Sequence, residues 1–111
     1  MKDKDLHNLN MLIEYCQIID ELLAEYDYSF ELYKSKKSFQ LSTSMCIIQL
    51  GEYVNRLSDE FKEEHNHIPW KKIKGTRNFT THQYHGINHR IMWKTLTVKI
   101  PELKEELELL L

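Results

Sequence analysis

Arg77, Asn78, Thr81, His82, Tyr84 and His85 bring a guanidinium, an amide, a hydroxyl, two imidazoles and a phenol into nine residues. If the stretch is helical, each residue turns about 100° around the axis. With Arg77 at zero, Tyr84 then falls at about −20°, Thr81 at about 40°, His85 at about 80°, Asn78 at about 100° and His82 at about 140°. The six share roughly one half of the helix. Ile73 and Phe79 fall on the other half and are expected to anchor it to the core. A polar helix face is usually built from Lys and Glu. This one carries groups with directed hydrogen bonds and one side-chain type that titrates near neutrality.

Such a set suits phosphoryl chemistry. RNA is cleaved without metal when its own 2′-OH attacks the neighbouring phosphate. That reaction needs a base, an acid and a cation for the charge growing on phosphorus. Histidine suits the first two roles, with a pKa of about 6.5. Arginine suits the third through its planar fork of donors. One chain offers one Arg77–His82 pair, and a two-fold homodimer would bring two pairs to one cleft. Two other readings stay open on spacing alone: solvated or core hydrogen-bonding side chains, and anion binding without chemistry. A metal site is the competing use of histidine, through His82, His85 and His89 with His65 and His67. Gly86 is expected to break the helix between His85 and His89, and no Cys, Asp or Glu stands nearby in sequence to complete a tetrahedral set. Neither a metal nor a cofactor is expected.

Charge supports an anionic partner. Lys71 to Lys99 holds seven of the 15 Lys and Arg and none of the 17 Asp and Glu, so the remainder carries −9 within an overall −2. Lys71, Lys72, Lys74, His85 and Arg90 are the candidate RNA contacts, beside the catalytic candidates Arg77 and His82 and the supporting Asn78 and Thr81. Trp70 and Trp93 suit either base stacking or the core. The acidic faces at Glu60, Glu63 and Glu64 and at Glu105, Glu106 and Glu108 read as solvated.

The elements that must position these groups are helical. Three Gly and two Pro in 111 residues, with 41% hydrophobic content, leave one domain over 1–111 with few turns. Leu6 through Tyr26 repeats at three- and four-residue steps, predicting a helix over 5–26. Ser29 is a candidate N-cap for a short helix over 30–34. Phe39, Thr43, Cys46, Leu50, Tyr53/Val54, Leu57 and Phe61 predict one long helix over 38–64, with Ser42, Thr43 and Ser44 permitting close approach. That seam is large for one small core and predicts a dimer interface. Pro69 suits a first helical position, opening a third helix to Tyr84 or His85. Gly75 weakens it, which points to a close contact or a functional constraint there. Asn88 caps a fourth over 89–98, which presents Met92, Trp93 and Leu96. Pro101 opens a last helix carrying Leu103, Leu107 and Leu110. Cys16 and Cys46 read as buried free thiols. No leader-like start and no apolar run of about 20 residues predict a soluble cytoplasmic protein with no membrane partner.

Gly51-Glu52, Arg56-Leu57-Ser58, Ile68-Pro69-Trp70, Ile73, Gly75, Arg77-Asn78, His82, Tyr84, Trp93 and Pro101-Glu102-Leu103 stand in the order and spacing of HepT-like proteins. By these motifs, which run through nearly the whole chain, the sequence resembles the HepT-like members of the HEPN superfamily. The resemblance implies an all-α helical bundle of four to five helices, a homodimer whose Arg and His motifs meet in a cleft, and a ribonuclease toxin of a type VII toxin–antitoxin pair. It implies a partner, a small MntA-type nucleotidyltransferase antitoxin that transfers AMP to the motif tyrosine, here Tyr84. Arg77 and His82 would be catalytic and Asn78 supporting. Thr76, Gln83, His85 and Asn88 depart from the usual Met, acid, aromatic and Asp, while Arg77, Asn78, His82 and Tyr84 are intact. The alternative is a non-catalytic HEPN binding module or a substrate of the nucleotidyltransferase.

Overall fold

The computed structural model describes residues 1–82 and 88–111, and for 77–82 the backbone alone. The described residues are helical without strands. In chain order the elements are α1 (Asp3–Glu25), α2 (Phe30–Ser35), α3 (Lys37–Arg56), α4 (Asp59–Glu64), α5 (Trp70–His82), α6 (His89–Lys94) and α7 (Ile100–Glu108). The all-α bundle expected from composition and period is the fold observed. α3 is its centre, packed between α1 and α5, while α7 closes against α1.

The core follows the predicted stripes. α1 contributes Leu9, Leu12, Cys16, Ile19 and Leu23, and α3 contributes Phe39, Cys46, Ile47, Leu50 and Val54. Thr43, fully buried on α3, returns its hydroxyl to the Phe39 carbonyl at 3.0 Å, so a small polar side chain sits in the seam without an orphaned donor. α1 ends in a tight reversal where Asp27 and Tyr28 take φ of 59° and 50°. The Tyr28 amide donates to the Leu23 carbonyl at 2.8 Å and its phenol to Asp20 Oδ1 at 2.8 Å, which holds a left-handed turn without glycine. Ser29 then caps α2 as expected, accepting from the Leu32 amide at 3.1 Å.

Two boundaries differ from the periodicity. The predicted helix over 38–64 is broken: Leu57 (ψ 144°) and Ser58 (ψ 151°) are extended between α3 and α4. Period alone missed this because Leu57 and Phe61 stay buried on both sides of the break. The break is fixed from a distance. Ser58 donates its amide (2.8 Å) and its hydroxyl (2.7 Å) to the carboxylate of buried Asp5 on α1, while its own oxygen accepts the Phe61 amide at 3.1 Å. Asn8 adds a bond to the Arg56 carbonyl at 3.1 Å. The opposite correction applies at the C-terminus. The expected interruption between Val98 and Pro101 is absent, because a π-helical turn over Thr95–Lys99 joins α6 to α7. Pro101 has no N–H to give and its ring crowds the carbonyl four residues back. Shifting to a wider turn, with the Ile100 amide on the Thr95 carbonyl, carries the helix past it. Among the described residues no helix is long and apolar enough to cross a membrane.

Candidate active-site helix

α5 carries the candidate set, and its start is fixed by tryptophan. Pro69 occupies the cap rather than the first helical position: its carbonyl accepts from the amides of Lys72 (3.0 Å) and Ile73 (3.1 Å). Trp70 is buried, and its indole N–H donates to the carbonyls of Lys62 (3.2 Å) and His65 (3.1 Å), closing the end of α4. The indole therefore belongs to the core and is unavailable to a base. Ile73 packs half-buried one turn on, as expected. Trp70 and Ile73 lie at about 20° and −40° from Arg77 around a regular helix. The buried line of the first turns of α5 thus runs through Trp70 and Ile73. Phe79, Arg77, Asn78, Thr81 and His82 have described backbone within α5 but no described side chain, and Gln83, Tyr84, His85 and Gly86 lie outside the described residues.

The three lysines are exposed but do not form one track. Lys71 and Lys74 border a surface depression with Asp59, Lys62 and Glu63. Lys72 lies across the helix at the mouth of a groove of about 300 Å³ between α3, α5 and α7, floored by Ile47, Leu50, Ile73, Ile100 and Leu103. On the helix register Lys71 (about 120°) and Lys74 (about 60°) share the side of Thr81 and Asn78, and Lys72 (about −140°) does not. Among the described residues, a Cβ placed on Gly75 would meet no atom within 4 Å.

The elements beyond the site segment are well anchored. Asn88 caps α6 by accepting from the amides of Arg90 (2.9 Å) and Ile91 (3.2 Å). An Asp would serve the same cap. Trp93 packs against Tyr33 at 5.5 Å and Phe30 at 5.7 Å. Arg90 and Lys34 both sit over the Phe30 ring, at 5.5 and 5.1 Å. Sequence reasoning named Arg90 but missed Phe30 and Lys34, because only the α2–α6 contact brings them to it.

Two thiols and a carboxylate lie buried away from α5. Cys16 and Cys46 are free and buried, and burial pushes their thiols up to about 12 and about 11. Neither is a nucleophile near neutral pH. Burial pushes the Asp5 carboxyl up, but the bonds from the Ser58 hydroxyl and amide, aided by Lys4 and Lys2, outweigh it and hold it below its usual range. His65 packs on Phe61 at 4.6 Å, with His67 at 6.2 Å. Among the described residues no three His, Cys, Asp or Glu gather to hold a metal ion.

Comparison with known proteins places this architecture. The profile of the family described as “Ribonuclease HepT-like” matches residues 12–110. A Thermococcus cleftensis protein named “Probable ribonuclease HepT” is 31% identical over 108 residues, covering 97% of this chain and 96% of its own length. A Methanocaldococcus jannaschii protein named as a “Putative RNase” is 32% identical over 82 residues, 74% of this chain and 71% of its own. Another so named, from Caldanaerobacter subterraneus subsp. tengcongensis, is 44% identical over 59 residues, and the match spans about half of each chain, 53% in both. No solved structure matches the chain.

Proposed function

The chain belongs to the HepT-like ribonuclease family, and from that premise we propose that it is a metal-independent endoribonuclease acting through Arg77 and His82. The observation that carries this reading is the family match across residues 12–110, which includes the whole of α5. The Trp70 anchor gives α5 a fixed start, from which a regular helix sets the register of Arg77, Asn78, Thr81 and His82. In the proposed reaction a base takes the proton of the 2′-OH, and the freed oxygen attacks phosphorus. The P–O5′ bond breaks, and an acid protonates the departing oxygen. The products are a 2′,3′-cyclic phosphate and a 5′-OH. Arg77 would hold the non-bridging oxygens as their charge grows, and the exposed Lys71 and Lys74 would steer the strand to the same side.

The finer reading follows from the resemblance. Two copies would pair so that two Arg77–His82 sets share one cleft and divide the base and acid roles. The unfilled space beside Gly75 is compatible with a second chain approaching there. A small nucleotidyltransferase antitoxin of the MntA type would silence the toxin by attaching AMP to Tyr84, setting a phosphate anion beside Arg77.

The deciding experiment is cleavage of single-stranded RNA by the purified, unmodified chain. His82→Ala is expected to lose about 10²–10⁴-fold in rate with unchanged helical circular dichroism, and EDTA is expected to leave the rate untouched. Activity lost to EDTA and restored by zinc would refute the mechanism.

A further inference from the structure

The α2–α6 face combines features that neither the core nor a solvated surface requires. Phe30 is half-buried and tilted on Trp93 at 5.7 Å. Its ring carries two cations, the Lys34 ammonium at 5.1 Å and the Arg90 guanidinium at 5.5 Å. Lys34 is also paired with Glu31 at 3.2 Å, so part of its charge is answered. Arg90 forms no ion pair among the described residues. Lys94 stands one turn beyond Arg90 on α6, and no acid occurs from His89 to Lys99. His89 closes the patch, edge-on to Tyr33 at 5.6 Å. The result is a cationic surface backed by an aromatic wall.

We infer that this face, built from Phe30, Lys34 and Arg90, is a second binding platform for single-stranded RNA, holding the strand that flanks the reacting phosphate. The inference rests on the ribonuclease reading for its ligand. Two arguments favour RNA over an acidic polypeptide. A guanidinium set over an aromatic ring offers a surface on which an unpaired base stacks, and the neighbouring ammonium groups suit the phosphates on either side. The patch also continues the site in the chain. Asn88, which caps α6, follows His82 by six residues, and so lies within about 20 Å of it even for a fully extended segment. A strand crossing the Arg77–His82 helix would meet Arg90 a few nucleotides later.

The test is fluorescence anisotropy with a single-stranded RNA of about 12 nucleotides, inside the ~4–16 nucleotide range of single-strand sites. It is run in the His82→Ala background so that binding is read without cleavage. Phe30→Leu keeps apolar volume and removes the aromatic face, and is expected to weaken binding about 5- to 150-fold. Arg90→Gln and Lys34→Gln change exposed groups and leave the core intact. Each is expected to weaken binding and to flatten the plot of log K against log salt by about 0.7, a change that altered folding would not produce. If all three variants bind as tightly as their background with the same salt slope, the platform is wrong. If poly-glutamate displaces the RNA as effectively as unlabelled RNA does, the face serves an acidic protein and the inference is overturned. The two readings separate cleanly. Cleavage by the unmutated chain with variant-independent binding removes only the platform. Variant-dependent binding without any cleavage removes only the nuclease.

Discussion

Asp5→Ala offers the sharpest test of how the site helix is held. The carboxylate accepts two hydrogen bonds from Ser58, at 2.8 and 2.7 Å, in a residue only 2% exposed. Bonds to a charged acceptor contribute about 1.5–3 kcal/mol each, and a buried donor left without a partner costs about 1–3 kcal/mol. The Ser58 hydroxyl can turn toward water, whereas its amide cannot re-pair without moving the break. A loss of about 2–4 kcal/mol follows, and the melting temperature should fall by on the order of 10 °C. Urea unfolding of the wild type, Asp5→Ala, Ser58→Ala and the double variant measures it, with an expected coupling of about 1–3 kcal/mol. The pH dependence has a definite sign. The Asp5 carboxyl titrates below its ordinary 3.8 in the folded chain, so its contribution is complete above that value and is lost as pH falls through the lower folded value. The gap between wild type and Asp5→Ala should therefore be flat above about pH 5 and shrink below 3.8. A gap under about 0.5 kcal/mol, or one that widens on acidification, would refute the clamp.

Two further outcomes test the neighbouring links. Trp70→Phe removes the indole N–H from the carbonyls of Lys62 and His65 while keeping most of the packing. It should cost about 1–2 kcal/mol in urea unfolding and lower RNA cleavage through a loosened start of α5; unchanged stability would show that the α4–α5 junction is held otherwise. Tyr84→Phe should remain an active nuclease and gain no mass when incubated with the nucleotidyltransferase and ATP, where the wild type gains about 329 Da per AMP attached; continued modification and silencing of the variant would move the regulatory site elsewhere.

Amphipathic period made α1, the buried stripe of α3 and the Ser29 and Asn88 caps legible in the sequence, because each is a local matter of spacing or of one side chain reaching its own backbone. What escaped was set by contacts distant in sequence. Nothing within α3 or α4 distinguishes a continuous helix from a broken one, since Leu57 and Phe61 are buried either way; the decision belongs to a carboxylate 53 residues earlier. Pro101 read as the opening of a separate helix, because a proline at a first position gives up no bond, yet a π-helical turn carries α6 into α7 without a break. The same distinction applies to the candidate site. Arg77, Asn78, Thr81 and His82 could be named from residue type and register. Trp70 as their anchor, the separation of Lys72 from Lys71 and Lys74, and the placing of Phe30 and Lys34 against Arg90 needed the fold. Those contacts connect the two ends of the argument. Asp5 fixes the break at Ser58, the break sets the direction of α4, and Trp70 ties the end of α4 to the first turn of α5. The register of Arg77 and His82 thus depends on a charged residue at the far end of the chain. Loss of that residue should therefore lower catalytic rate together with stability, whereas loss of His82 should lower catalytic rate alone.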